Sequence, residues 1–170
     1  MLVDKERPIP SDVIRELCEL AQWAPNHKRT WPWRFAVAEG AARARLGNAV
    51  ADAMQANGDP PEKVDKTRTK YLRTPTTVVV GSAAGDSPQR TGENRDSVAA
   101  GIEIMLLAAT ARGLASYWST CPKGANDTAA DICGFEPGTY ITGLIYLGWA
   151  TSSIEPPQRP APHVHLIPAD

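Results

Sequence analysis

A small sheet interleaved with helices, an α+β or α/β mixture, is the fold class the sequence predicts. Three observations lead there. Stretches of helical apolar spacing alternate with short β-branched runs along the chain. Two of those runs are Thr76 to Ala83 (TTVVVGSA), which reads as a buried strand, and Thr139 to Leu147 (TYITGLIYL), rich in aromatic and β-branched residues. The chain has 170 residues, 42% of them hydrophobic and 22% charged, which gives one domain of ordinary size with a full core and excludes wholesale disorder. The pattern by itself does not say whether the sheet is parallel.

The elements follow in order. Ser11, after Pro10, is placed to cap a helix whose apolar residues recur at Val13, Ile14, Leu17, Cys18, Leu20, Ala21 and Ala24 before Pro25 ends it. WRFAVA, Trp33 to Ala38, reads as a short strand. Gly40 to about Asn57 is Ala-rich with Leu46, Val50 and Met54 on one stripe, a second helix. Pro60 and Pro61 suit the start of a third, mostly solvated helix through EKVDKTRTKYLR. Gly85 to Thr91 reads as loop. Asn94 to Arg112 predicts a helix apolar nearly all round, lying at the domain centre or under a partner subunit, and Gly113 is its natural stop. A strand (Ala115 to Thr120), a short helix (Asn126 to Cys133) and the Thr139 run complete the domain. The tail, Thr151 to Asp170, holds five prolines and one strand-like piece, HVHLI, His163 to Ile167. It is too long for a fray and is expected to lie extended along a second subunit.

Eighteen basic and nineteen acidic residues leave a net charge of −1, without the polybasic block that a nucleic-acid surface needs. Cys18, Cys121 and Cys133 are an odd set lacking C-x-x-C spacing, so neither a disulfide framework nor a zinc site is indicated. The N-terminal residues MLVDKERPIP hold no apolar signal region, and the most apolar stretch, Val98 to Ala111, contains Glu103. The expectation is a cytoplasmic globular domain.

No side chain is an obvious acid, base or nucleophile. G-x-S-x-G, G-x-G-x-x-G and the P-loop pattern are absent. His163 and His165 would share a strand face but lack a nearby third metal ligand, so no metal site is assigned and no catalytic side chain named. An enzyme built from this chain would depend on a bound cofactor for its reactivity. The densest unusual region is APNHKRTWPWRF, Ala24 to Phe35, with His27, three cations and two tryptophans around Pro32. It is either a loop whose tryptophans fill the core or a wall for a flat aromatic ligand with donors at its edge.

That segment resembles the "APDHxxxQPWxF" region of the short branch of the FMN-dependent nitroreductases. Three further blocks match in family order: DKTRTKYLRTPTTVVV, SVAAGIEIMLLAATARGLASYWST and GLIYLGWA. The resemblance implies a single nitroreductase-like domain over residues 1–170, α+β, with a central, mainly antiparallel sheet flanked by helices. It implies a homodimer in which the C-terminal extension, 151–170, is exchanged onto the partner subunit, with FMN at the subunit interface and NAD(P)H as electron donor. Hydride would pass to the flavin and on to a nitroaromatic or quinone-like acceptor in a ping-pong cycle.

Carried over residue by residue, the resemblance makes His27 a flavin contact. Trp31 stands where the family has glutamine, replacing an amide with a bulky ring bearing one donor. Trp118, Ser119 and Thr120 match the segment whose backbone lies against the flavin, and Arg159 the late basic residue near its phosphate. The family's early arginine–serine phosphate grip has no counterpart in register. The phosphate is therefore expected to rely on residues upstream of Met1, or on Arg159 and helix-end amides. Trp31 and the missing grip also motivate the alternative of a flavin-sequestering relative with little turnover.

Overall fold

The structure, a computed structural model, describes residues 2–153 and 155–169. Its elements are β1 (Val3–Asp4), α1 (Ser11–Ala21), β2 (Trp33–Glu39), α2 (Ala41–Ala56), α3 (Pro61–Lys70), β3 (Thr76–Ser82), α4 (Pro88–Ala111), β4 (Leu114–Ser119), α5 (Asn126–Ile132) and β5 (Tyr140–Ala150). Every strand pairing is antiparallel. Residues 144–147 of β5 pair with β3 and with β4 at once, so these two flank it. The main order is therefore β2-β3-β5-β4, while β1 pairs only with Trp149 and Ala150 at the far end of β5. Helices cover both faces, the α+β architecture that the resemblance implied.

Strand alternation sorts the core into two layers. Val78, Val80, Ile145 and Leu147 face α1 and α4, where Ile14, Leu17, Ile102 and Met105 meet them. Val79, Leu144 and Tyr146 face the other way, onto α2, α3 and α5 through Val50, Met54, Val64 and Ala129. The α1–α4 crossing is close because Gly101 permits it. A Cβ there would sit 2.5 Å from the Ala21 carbonyl oxygen and 2.6 Å from Trp33 Nε1.

Four expectations about elements are corrected. Ser11 is the first helical residue and makes no side-chain cap; the cap position belongs to Pro10. The loop expected over Gly85 to Thr91 is half helix: α4 starts at Pro88, because Ser87 accepts a hydrogen bond from the Arg90 amide and Pro88 fits the first turn. Helix α4 does not lie wholly at the domain centre either, which leaves a partner subunit as the other expected cover. Its buried stripe is Asn94, Ser97, Val98, Gly101, Ile102, Met105 and Ala109, whereas Leu107 on the other side is 62% exposed. Finally, HVHLI forms no strand, and residues 155–169 are exposed without regular structure. Among the described residues no strand pairs with it. No described helix is long and apolar enough to cross a membrane.

Candidate functional site

The third helix ends in a cationic turn, Lys70-Tyr71-Leu72-Arg73, that packs beside the β4–β5 face. Register decides which side chains it meets there. Tyr117 lies opposite Tyr146 and Ser119 opposite Leu144, so Tyr117, Ser119 and Tyr146 share the face toward α3. Together with Lys70, Arg73 and Thr74 they line a cavity of about 370 Å³, within the range of small-molecule sites. No carboxylate lines it.

The Thr74 and Ser119 hydroxyls of this cavity donate to the backbone carbonyls of Thr76 and Thr120, but its cations have no such partners. Among the described residues Lys70 and Arg73 form no ion pair with a carboxylate. Burial pulls the Lys70 pKa below its ordinary value; Cys121 opposes that and Arg73 adds to it. The Tyr146 hydroxyl is buried with no hydrogen-bond partner. Its ring stacks in a column, 5.8 Å from Tyr71 and 6.2 Å from the half-exposed Tyr117, measured between centroids. Two unpaired cations and an orphaned hydroxyl around one volume suit a ligand that is acceptor-rich and negatively charged.

A larger, shallower cleft of about 560 Å³ runs past Lys28, Arg34 and Arg90, but two of its cations are already neutralised. Arg34 Nε donates to both oxygens of Glu136 at 2.8 and 2.9 Å, and Arg90 is paired with Glu93. An apolar cavity of about 250 Å³ against β2 offers only Arg45 as a charged group.

The residues singled out by the sequence fall into three places. Ser119 lines the donor cavity, and Thr120 follows it, exposed. Trp118, one residue back, points to the opposite face, packs against the α1–α4 core and donates from Nε1 to the Thr142 carbonyl at 3.1 Å. His27 and Trp31 lie before β2, at the other edge of the sheet. Three strand spacings of about 4.8 Å separate that edge from β4, roughly 14 Å. Arg159 lies in the exposed tail, where no described residue bonds to it.

The segment 26–31 is held in an uncommon conformation. Lys28, Arg29 and Trp31 all have positive φ, +63°, +52° and +51°, which costs side-chain-bearing residues free energy unless the surroundings over-determine it. Here they do. Asn26 Oδ1 accepts the Trp31 amide at 2.9 Å and its Nδ2 reaches Ser97 Oγ at 3.3 Å. The Thr30 hydroxyl donates to Asn94 Oδ1 at 2.6 Å, and Asn94 Nδ2 donates to the Ala83 carbonyl. His27 Nδ1 lies 3.2 Å from Glu93. Partial burial would raise the Glu93 pKa, but hydrogen bonds from Gln89 and His27 and the charge of Arg90 hold it below the usual range. The two tryptophans divide the two sequence readings. Trp33 is buried in the core, while Trp31 stands 59% exposed, its ring 6.3 Å from Trp33.

A profile of the Nitroreductase family matches residues 3–149. The chain belongs to the nitroreductase family. The Escherichia coli protein named "Putative NAD(P)H nitroreductase YdjA" is 27% identical over 163 residues, covering 92% of this chain and 88% of its own. A nitroreductase-like family protein of Bacillus cereus is 25% identical and superposes with a TM-score of 0.78 over 94% of this chain and 84% of its own. A Bacteroides fragilis nitroreductase with bound FMN, 21% identical, shares the fold at a TM-score of 0.74 over 98% and 91%.

The three cysteines of the chain are poor nucleophiles. Burial pushes the thiols of Cys18, Cys121 and Cys133 up to about 11, so they stay protonated and unreactive near neutrality. Those shifts also predict alkaline behaviour. The folded chain keeps thiol protons that the unfolded chain loses from about pH 9, so the stabilisation is whole below pH 9 and declines as pH rises toward 11. Lys70 acts in the opposite sense, one group against the three thiols and, above about pH 10, the buried phenols of Tyr71 and Tyr146, which burial also holds protonated. Urea midpoints measured at pH 8.0, 9.5 and 10.5 should fall steadily; a flat series would contradict the burial of these thiols.

Sequence reasoning missed Lys70, Arg73, Tyr117 and Tyr146. The first two were within reach, since both stand in the DKTRTKYLR block that carries the resemblance. The tyrosines were not, because only the β4–β5 register places them beside that turn.

Proposed function

We propose that the chain is an FMN-dependent NAD(P)H oxidoreductase that reduces nitroaromatic or quinone-like acceptors by ping-pong hydride transfer. The observation that carries this reading is the cationic cavity: Lys70, Arg73 and Tyr146, whose buried hydroxyl has no partner, line one acid-free volume beside Ser119. These groups fit a flavin, whose pyrimidinedione edge and phosphate are acceptors and whose ring is a flat partner for Tyr117. When bound, FMN supplies the hydride chemistry. The chain's own work is to bind the ring, neutralise its acceptor edge and leave one face open. The names of the Escherichia coli and Bacteroides fragilis relatives support the same assignment.

The site is proposed to be shared between two copies. Within one chain His27 and Trp31 lie at the far sheet edge from Ser119, so both groups can serve one flavin only if a partner supplies its 26–31 segment. The half-exposed Trp31 and Leu107, and Val164, Leu166 and Ile167 at 73–95% exposure in the tail, are the apolar surface such a partner would cover. In that arrangement the tail of 151–170 crosses to the second subunit of the single-domain pair and brings Arg159 toward the FMN phosphate, while the backbone of Trp118 and Thr120 lies against the ring.

Titrating the purified protein with FMN tests this. Saturable quenching of tryptophan fluorescence is expected, followed by steady NADPH or NADH oxidation once a quinone is added. Failure to retain flavin at excess FMN would end the proposal. Flavin retention without turnover would replace it with the sequestering alternative.

A further inference from the structure

The Tyr146 hydroxyl is buried without a hydrogen-bond partner on a residue that lines the cavity, and a hydroxyl so placed costs free energy unless an acceptor arrives. The protein supplies none. Its phenol is held neutral because burial raises its pKa, against the effect of Arg73, so the group remains a donor throughout the physiological range. It shares the cavity with Lys70 and Arg73, which are donors as well, and with the hydroxyls of Thr74 and Ser119. Tyr71 provides an internal comparison: its hydroxyl is also buried and unpartnered, but it does not line the cavity.

Resting on the FMN assignment above, we infer that the Tyr146 hydroxyl donates a hydrogen bond to the carbonyl-bearing edge of the flavin ring. Tyr146 is then a positioning residue that also tunes the cofactor. Two electrons and one proton added to the ring leave a negative charge along that edge, and a neutral donor aimed at it holds the reduced form more tightly than the oxidised form. Phosphate is the other acceptor FMN could present to the same group, and riboflavin, which lacks it, separates the two.

The test is Tyr146→Phe, with Tyr71→Phe as the comparison. Because the substitution removes an unsatisfied buried hydroxyl and keeps the ring, the flavin-free protein should melt at the same temperature or higher. The dissociation constants of FMN and of riboflavin should both rise roughly five- to tenfold, and the midpoint potential of the bound flavin should move to a more negative value. Tyr71→Phe should leave affinity and potential unchanged. Unaltered affinity and potential in Tyr146→Phe would overturn the inference, leaving the hydroxyl to a trapped water. A loss confined to FMN, with riboflavin unaffected, would overturn it in favour of a phosphate contact. If the unmodified protein binds no flavin, the function proposal fails instead, and the two failures are told apart by that first titration.

Discussion

Replacing Lys70 and Arg73 together with alanine is expected to weaken FMN binding by a hundredfold or more while leaving the fold intact. The size follows from the charges. A hydrogen bond to a charged group contributes about 1.5–3 kcal/mol, and 1.4 kcal/mol is a decade in affinity. Lys70 is half-buried and Arg73 exposed, so solvent screening places each near the lower end of that range. Two such contacts still multiply to about a hundredfold. The fold should tolerate the change because neither side chain forms an ion pair among the described residues. Lys70 lies over the Tyr71 ring at 5.1 Å, a contact that contributes about 0.5–1 kcal/mol. Fluorescence titration with FMN reads the affinity, and a melting curve of the flavin-free protein reads the fold. A change below threefold would show that the flavin lies elsewhere, and the shallower cleft past Lys28 and Arg34 would be the next place to look.

How much of this was legible in the residues depends on the range over which each feature is decided. Helices α1, α2 and α3 and strands β2 and β3 were visible within a residue or three of their ends, because their apolar spacing is local. The start of α4 was misplaced because Pro88 reads as a breaker until Ser87 is recognised as the cap before it. β1 has two residues and exists only because the end of β5 offers it a partner. The site behaves the same way. His27 and Trp31 are singled out by their own segment, and the strain there, with three positive φ values, is invisible in it because the asparagines that stabilise it are supplied partly by α4. Trp118 and Ser119 are neighbours in sequence, yet strand alternation sends one into the core and the other into the cavity.

The second large effect concerns what holds the site in place. Ile102 is completely buried on α4, in the layer that supports β5 from below. A Cβ added at Gly143 would meet Ile102 Cδ1 at 2.9 Å and Trp118 Nε1 at 2.8 Å, so this isoleucine and the Trp118 indole close over the same point of β5. Ile102→Ala therefore opens a void under the strand that carries Tyr146, and buried truncations of this kind cost about 2–5 kcal/mol. For a chain of this length that lowers the melting temperature by roughly 5–15 °C. Bound cofactor should return part of the loss: a ligand at a hundred times its dissociation constant stabilises the native state by about 2.7 kcal/mol. Flavin-free and FMN-saturated melting curves of the variant should thus separate by several degrees. If the flavin-free variant melts within 2 °C of the parent protein, Ile102 is not the keystone of this layer. If FMN saturation fails to raise its midpoint, the native chain does not bind flavin and the proposed function fails with it.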